Sequence, residues 1–218
     1  VKIDKTNEKL WLILAETQLA NELYEQALSS LNKAQKINSN ISEIYFAKGN
    51  VYFRISQLKN AKNALEKGLK IEANNHKAIF QLGNILLMEK NYSEAIKLFD
   101  KSVNIKPDFW QAINNLGLAY YEKNNINRSI KFFEKAISIE DNAEPLLGLA
   151  SCLRTKDIKL ALEFAKKALT KNPNYVDYDF RKEQLWGEKL QNSTEILLQN
   201  DQLQTDVRLA KSKINASS

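Results

Sequence analysis

The chain has 218 residues, of which 44% are hydrophobic and 27% are charged, with a formal net charge of +6. This balance is typical of a globular protein, and the small number of prolines and glycines favours helices. No apolar run approaches the roughly 20 residues that a transmembrane helix needs, and no signal peptide opens the sequence. Because the lysines are scattered along the chain, we expect a solvated exterior and no nucleic-acid partner.

The sequence carries no pattern typical of an active site or a metal site. It has no glycine-rich phosphate loop, and its single histidine, His76, lies far along the chain from its single cysteine, Cys152. We therefore predict no enzymatic activity, no catalytic residue, no metal and no cofactor. We interpret Cys152 as a packed thiol, because buried free cysteine behaves as a small hydrophobic residue.

The opening residues resemble two later stretches of the chain. VKIDKTN at 1–7 is similar to LKIEANN at 69–75 and to VNIKPDF at 103–109, and both of these close predicted second helices. Residues 1–7 are therefore predicted to be the last turn of a preceding repeat. On the same ground, the sequence is interpreted as a fragment of a longer protein.

Four segments with a common pattern follow, beginning at residues 8, 42, 76 and 110. Each holds two runs of apolar residues at helical spacing, separated by a short polar break, and so predicts a pair of helices. Small residues stand at the eighth and the twentieth positions, where they let two antiparallel helices approach closely. These residues are Ala15, Gly49, Gly83 and Gly117 in the first helices and Ala27, Ala61, Ala95 and Ser129 in the second.

A fifth segment, residues 143–175, carries the pattern in an irregular form. It fits only if one residue is lost near Asn142 and a second from the turn around Lys156. Pro173 closes its second helix as Pro107 closes that of the third segment, because proline lacks an amide donor. We interpret the fifth segment as a repeat with a changed angle to its neighbour.

The turns between the paired helices have an unusual composition. Their central position, the fifteenth of each repeat, holds Glu22, Ser56, Lys90 and Asn124. Of these residue types only asparagine tolerates a left-handed backbone well. The other turns are therefore predicted to be tighter or strained.

Residues 176–218 do not carry the repeat pattern. Apolar residues at helical spacing predict a capping helix over about 178–198, with Trp186 as its anchor. A heptad pattern then runs from Ile196 to Ile214. Two interpretations stay open for this tail: a coiled coil that forms a homodimer, and a continuation of the capping helix.

The spacing resembles that of tetratricopeptide repeats, whose period is about 34 residues. The segment from His76 to Phe109 carries the resemblance most fully, with Ile79, Leu82, Gly83, Leu86, Ala95, Phe99, Ser102 and Pro107. It implies an all-α fold, a right-handed α-α superhelical solenoid of about five helix pairs with a C-terminal capping helix. The predicted repeats are 8–41, 42–75, 76–109, 110–142 and 143–175, followed by the cap and tail at 176–218. RKEQLWGEKL, in that last segment, resembles C-terminal extensions of cyanobacterial and plastid members of the family.

The same resemblance implies a binding groove on the concave face, which first helices form in this family. The residues predicted to line it are Leu12, Phe46, Asn50, Phe53, Phe80, Asn84, Leu87, Asn115 and Tyr121. The asparagine amides can both donate to and accept from an extended peptide backbone. In the alternative interpretation, these side chains pack against adjacent repeats or are covered by the C-terminal segment.

As a function, the resemblance implies a non-catalytic scaffold that binds a peptide or helix of a partner protein. The family's two-carboxylate clamp is disfavoured: Asn84 and Asn115 match it, but Phe80, Glu144 and Gly148 stand where it needs cations. One alternative is a module that self-associates through its tail. Another is an assembly factor for a membrane complex, for example a photosynthetic one, that docks by its basic surface. We expect a cytoplasmic location.

Overall fold

The computed structural model describes residues 7–217, apart from the side chain of residue 217, and this range is helical, without strands. The predicted end of a preceding repeat therefore lies outside the described residues, except for Asn7. Two 3₁₀ helices interrupt the α-helices, at Pro173–Val176 and Asp201–Leu203. The α-helices are α1 (Glu8–Ala20), α2 (Tyr24–Ile37), α3 (Ser42–Arg54), α4 (Leu58–Ile71), α5 (His76–Met88), α6 (Tyr92–Ile105), α7 (Trp110–Glu122), α8 (Ile126–Ile139), α9 (Ala143–Leu153), α10 (Ile158–Lys171), α11 (Tyr178–Glu183), α12 (Glu188–Leu198) and α13 (Gln204–Ser217).

The chain divides into two compact units at a point inside α5, between residues 85 and 86. In the N-terminal unit, α1 packs against α2 and α3 against α4. Its core includes Trp11, Leu31 and Ile44. In the C-terminal unit, α7 packs against α8 and α9 against α10. Each unit therefore has a core made of consecutive helices that pack in pairs.

Small residues allow the paired helices to approach closely. A Cβ atom added to Gly49 on α3 would lie 2.7 Å from the side chain of Leu65 on α4. In the C-terminal unit, the fully buried ring of Phe133 on α8 contacts two glycines, one on α7 and one on α9. A Cβ atom would lie 2.7 Å from this ring at Gly117 and 2.6 Å at Gly148. Phe133 therefore joins three helices, and both glycines are required by the close approach.

The four turns at the fifteenth position adopt one backbone conformation. The φ angles are 60° at Glu22, 59° at Ser56, 59° at Lys90 and 60° at Asn124, all in the left-handed region. Each such residue ends its helix by donating its amide to a carbonyl three residues back, as Ser56 does to Phe53 at 3.0 Å. The turns are thus regular, and three of the four carry a side chain that disfavours this conformation.

The C-terminal segment differs from the single capping helix expected over 178–198. It forms α11 and α12, and between them Leu185 has a left-handed φ of 66°. The side chain of Glu122 lies against Gly187 and leaves no room for a Cβ atom there. The helix therefore ends before Trp186 and restarts after Gly187, a break that a helical pattern in the sequence does not reveal.

The heptad pattern also does not form one continuous helix. The 3₁₀ helix Asp201–Leu203 separates α12 from α13. Leu203, Val207 and Ala210 are buried, with α13 packed against α10 and against the 3₁₀ helix Pro173–Val176. Both interpretations of the tail assume a continuous helix, which the 3₁₀ helix interrupts, and three of the heptad residues contact the chain's own C-terminal unit instead.

Candidate functional site

A helix of the chain itself lies on the first helices of two consecutive pairs. In the C-terminal unit, α12 packs against α7 and α9. The hydroxyl groups of Ser151 on α9 and Thr194 on α12 lie 2.7 Å apart. The hydroxyl of Ser193 donates to the carbonyl oxygen of Ser151 at 3.0 Å. The face formed by α7 and α9 is therefore a surface that holds a helix through specific polar contacts.

The start of α12 is fixed by a buried carboxylate at the end of α7. Glu122 is only 5% exposed, and its two carboxylate oxygens accept from the backbone amides of Leu190 at 3.0 Å and Lys189 at 3.3 Å. The ammonium group of Lys189 donates to the Glu122 carbonyl at 2.7 Å. A carboxylate at a helix N-terminus satisfies amides that lack intrahelical partners and interacts favourably with the helix dipole.

A second carboxylate anchors the turn between α11 and α12. The indole nitrogen of Trp186 donates to an oxygen of Glu144, on α9, at 3.2 Å. Burial of this carboxyl group raises its pKa to about 7, although hydrogen bonds from Asn114, Trp186 and Tyr175 favour the charged form. The Glu144 carboxyl group that accepts from Trp186 therefore changes charge near neutral pH.

The C-terminal segment is organised internally around a buried arginine. Arg181 on α11 has no exposed surface, and its guanidinium group donates to Gln191 at 2.7 Å and to the Tyr175 carbonyl at 2.7 Å. It also forms an ion pair with Glu195 on α12. Because removal of one partner would leave a buried charge uncompensated, this cluster fixes α11 and α12 relative to each other.

The predicted groove residues of the C-terminal unit are close to this segment. Leu87 is buried and lines a cleft of about 330 Å³ together with Tyr178 and Trp186. Tyr121 is half-buried and hydrogen-bonded to Ser193 of α12. Asn115 is 7% exposed and accepts from Asn114 at 3.2 Å. In this unit Leu87 and Tyr121 therefore lie beside the C-terminal segment, whereas Asn115 contacts its neighbour Asn114.

The predicted groove residues of the N-terminal unit are half-buried: Leu12 on α1, Phe46, Asn50 and Phe53 on α3, and Phe80 and Asn84 on α5. Asn50 lines a cleft of about 280 Å³ whose other walls include Glu16, Leu19 and Arg54. Leu12 lines a second cleft, of about 510 Å³. The ring of Phe46 packs over Gly68 on α4, so this side chain also has a structural role.

Sequence reasoning missed the residues that hold α12. Glu122, Glu144 and Ser151 lie on first helices, but their partners are far away in the sequence and outside the repeat pattern, and periodicity does not identify such pairs. It also missed Lys48, which is 9% exposed and stands at the seventh position of its repeat. A signal was present there, because the other four repeats have leucine at this position: Leu14, Leu82, Leu116 and Leu149.

Within the range that the structure describes, no helix is both long and apolar enough to cross a membrane. The same residues contain no group of three or more histidine, cysteine, aspartate or glutamate side chains placed to hold a metal ion. Neither observation identifies a membrane segment or a metal centre.

Comparison with protein families gives two matches. The model described as "Tetratricopeptide repeat" matches residues 42–75 and 111–142. The model described as "TPR repeat" matches residues 83–124. No curated protein sequence matches the chain. The resemblance to tetratricopeptide repeats is therefore confirmed for residues 42–75 and 83–142.

Solved structures show the same fold. MamA 41-end from Desulfovibrio magneticus RS-1 has a TM-score of 0.68 and 23% identity, covering 84% of this chain and 99% of that chain. PilF of Pseudomonas aeruginosa has a TM-score of 0.69 and 18% identity, covering 91% and 95%. YrrB, described as a TPR protein with an unusual peptide-binding site, has a TM-score of 0.63 and 20% identity, covering 83% and 93%. The predicted class, an all-α solenoid of tetratricopeptide helix pairs, is confirmed.

Proposed function

We propose that this chain, which carries tetratricopeptide repeats in residues 42–75 and 83–142, is a non-catalytic scaffold that holds a peptide or helix of a partner protein. The observation that carries the proposal is the position of α12, which lies on the first helices α7 and α9. The first-helix face of this chain can therefore hold a helix. We infer that α1 and α3, the first helices of the N-terminal unit, hold a segment of a partner in a similar way.

The chemistry of the α1 and α3 face suits a segment with both apolar and polar groups. Leu12 and Phe53 offer apolar surface that is only partly buried, which favours burial against a ligand. Asn50 lines the cleft of about 280 Å³, and no residue in the described range forms a hydrogen bond with its side chain. Its amide can therefore satisfy both a donor and an acceptor of a bound segment. Glu16 and Arg54 add charged groups at the rim of the same cleft.

A catalytic role receives no support from the reactive side chains. Cys152 is 3% exposed, and burial raises the pKa of its thiol to about 12. Such a thiol is neutral at physiological pH and shielded from substrates, so it is unsuited to nucleophilic attack. Tetratricopeptide repeats generally act as binding scaffolds, and YrrB is described as having a peptide-binding site.

The proposal can be tested by comparing partner capture by the wild type with capture by Asn50→Ala and Phe53→Ala. A typical hydrogen bond contributes about 0.5–1.5 kcal/mol, so Asn50→Ala should weaken binding by a few-fold to roughly tenfold. Phe53→Ala should cost more if the ring is an anchor of the interface. The measurement is quantitative recovery of co-purifying proteins, with melting temperature recorded for each variant.

Asn104→Ala is the matched control, because Asn104 is an exposed helical asparagine on α6. It should retain every partner of the wild type. Equal recovery by all three variants would contradict the proposal and direct attention to the second helices or the tail.

Three further expectations remain predictions. The first is self-association through the tail, of whose heptad positions Leu203, Val207 and Ala210 are buried in the chain's own C-terminal unit. A mass that increases with protein concentration in light scattering would support it. The cytoplasmic location and the role in assembling a membrane complex await localisation and vesicle-binding measurements.

A further inference from the structure

A buried lysine replaces an apolar residue in the N-terminal unit. Lys48 on α3 stands at the repeat position that holds Leu14 and Leu82 in the neighbouring repeats. Only 9% of the surface of Lys48 is exposed, so most of this residue is removed from water. A lysine is almost never fully buried unless its charge is compensated, so this substitution requires an explanation.

The partners of Lys48 within its unit are neutral. Its ammonium group donates to the side-chain oxygen of Asn32 at 2.6 Å and to that of Gln35, both on α2. Among the described residues, no carboxylate forms an ion pair with it. An ammonium group has three donors, so one N–H remains available beyond these two amides.

A second cation increases the local positive charge. Lys67 on α4 acts electrostatically on Lys48, and burial together with this repulsion lowers the pKa of Lys48. Both lysines line the same cleft, which has a volume of about 250 Å³. Two ammonium groups at one cleft without a carboxylate form an arrangement that an anion would stabilise.

The rest of the cleft is also suited to an anion. Its other walls are formed by Gln35, Tyr45, Tyr52, Asn60, Asn63 and Ala64, on α2, α3 and α4. Tyrosine hydroxyl and asparagine amide groups are hydrogen-bond donors. No residue in the described range forms a hydrogen bond with the hydroxyl of Tyr52 or the amide of Asn63. The cleft therefore combines two cations with neutral donors.

We propose that this cleft between α2, α3 and α4 binds a small oxyanion, a carboxylate or a phosphate, between Lys48 and Lys67. The oxyanion occupies the third donor of Lys48 and offsets the repulsion between the two ammonium groups. Charge-assisted hydrogen bonds of this kind are about twice as strong as neutral ones. The site is built from the second helices and one side of α3, and its ligand is chemically distinct from the mainly apolar segment proposed for the α1 and α3 face.

The test is thermal and chemical unfolding of the full chain at fixed ionic strength, with chloride replaced stepwise by inorganic phosphate or by malonate. A ligand at ten times its Kd raises the folding equilibrium constant about elevenfold. We expect this increase for the wild type with at least one of the two anions. A response to phosphate alone identifies a phosphoryl ligand, and a response to malonate alone identifies a carboxylate ligand.

Lys48→Leu restores the residue found in the other repeats and removes the charge. This variant should lose the part of the stabilisation by phosphate or malonate that comes from binding at the cleft and keep only the general effect of the salt. Lys131→Leu, at an exposed lysine of α8, is the control for general effects of charge and salt and should respond as the wild type does. Equal responses of Lys48→Leu and Lys131→Leu, or no response of the wild type, would overturn the proposal.

Lys67→Gln provides an independent test if Lys48→Leu does not fold. It leaves Lys48 in place and removes the second cation, which lies on an exposed position of α4. The Kd for the effective anion, measured by isothermal titration calorimetry, should rise at least several-fold. An unchanged Kd for this variant would contradict a site shared by the two lysines.

Discussion

At the scale of single residues, the left-handed turns between helices destabilise the chain, and glycine at these positions should remove the strain. Ser56 has a φ of 59°, which costs an L-residue about 1–2 kcal/mol, whereas glycine adopts it freely. Glycine also loses more chain entropy on folding, about 0.5–1 kcal/mol. Ser56→Gly should therefore stabilise the chain by about 0.5–1 kcal/mol in urea unfolding.

Ser29→Gly is the matched control for this change, because Ser29 is an exposed serine inside α2. Glycine there should destabilise by about 0.5 kcal/mol, since helix propensity falls and no strain is released. Asn124→Gly should gain less than Ser56→Gly, because asparagine already tolerates the left-handed region. A destabilising Ser56→Gly would contradict the strain account.

A second prediction at this scale concerns pH and Glu144. Burial raises the pKa of Glu144 in the folded chain to about 7, above the ordinary value of 4.5. The folded state therefore binds this proton more tightly than the unfolded state does. The stability from this group is fully present below pH 4.5 and is lost as the pH rises through 7.

Glu144→Gln removes the titration and keeps an oxygen that accepts from Trp186. The free energy of unfolding of the variant minus that of the wild type should rise by about 1–3 kcal/mol from pH 4.5 to pH 8. This range follows because one unit of pKa corresponds to about 1.4 kcal/mol. The measurement is the free energy of unfolding at both pH values. A constant difference between the two proteins would show that Glu144 does not titrate in this range.

At the scale of helices, the packing of Phe133 against two glycines predicts a strong local effect. Gly148→Ala places a methyl group 2.6 Å from a ring that has no exposed surface, so the ring or the helix must shift. Overpacking of this kind costs about 1–3 kcal/mol. Urea unfolding should show this loss.

A double-mutant cycle separates overpacking from the lower flexibility of alanine. Phe133→Leu leaves space beside Gly148, so the two changes together should cost less than the sum of the single changes. Additive costs would mean that the methyl group and the ring do not interact.

The C-terminal segment gives the second prediction at the scale of helices. In the C-terminal segment, α12 packs against α9, whose Leu147 and Ser151 are almost completely buried. Removal of residues 177–218 should lower the melting temperature or cause aggregation, because apolar surface of the last pair becomes exposed. Removal of residues 212–218 alone should have little effect, since most of these residues are exposed. An unchanged melting temperature after the longer truncation would show that α12 does not stabilise α7 and α9.

At the scale of the whole molecule, the features that could be predicted from the sequence are those that repeat along it. The small residues at the helix crossings, such as Gly49 and Gly117, and the apolar residues around them repeat every 34 positions, so the helix pairs and the fold class could be predicted. The position of α12 could not. Its contact between Ser151 and Thr194 joins residues 43 apart, in a segment without the repeat.

The candidate site was predictable only in part for the same reason. The face of the first helices follows from the repeat, but its accessibility in the C-terminal unit depends on the C-terminal segment, which is broken near Gly187, where Glu122 packs against it. Lys48 could be found in the sequence as an exception to the leucine pattern, but only the structure shows that it is buried.

Hydrogen–deuterium exchange of the full chain, with and without a recovered partner or a peptide derived from it, locates the bound segment directly. We expect slower exchange in α1 and α3, whose side chains Leu12, Asn50 and Phe53 would contact the ligand, and no change in α2 and α4. Asn50→Ala should reduce this protection at a fixed ligand concentration. Protection confined to α2 and α4, or to α13, would contradict binding on the first helices.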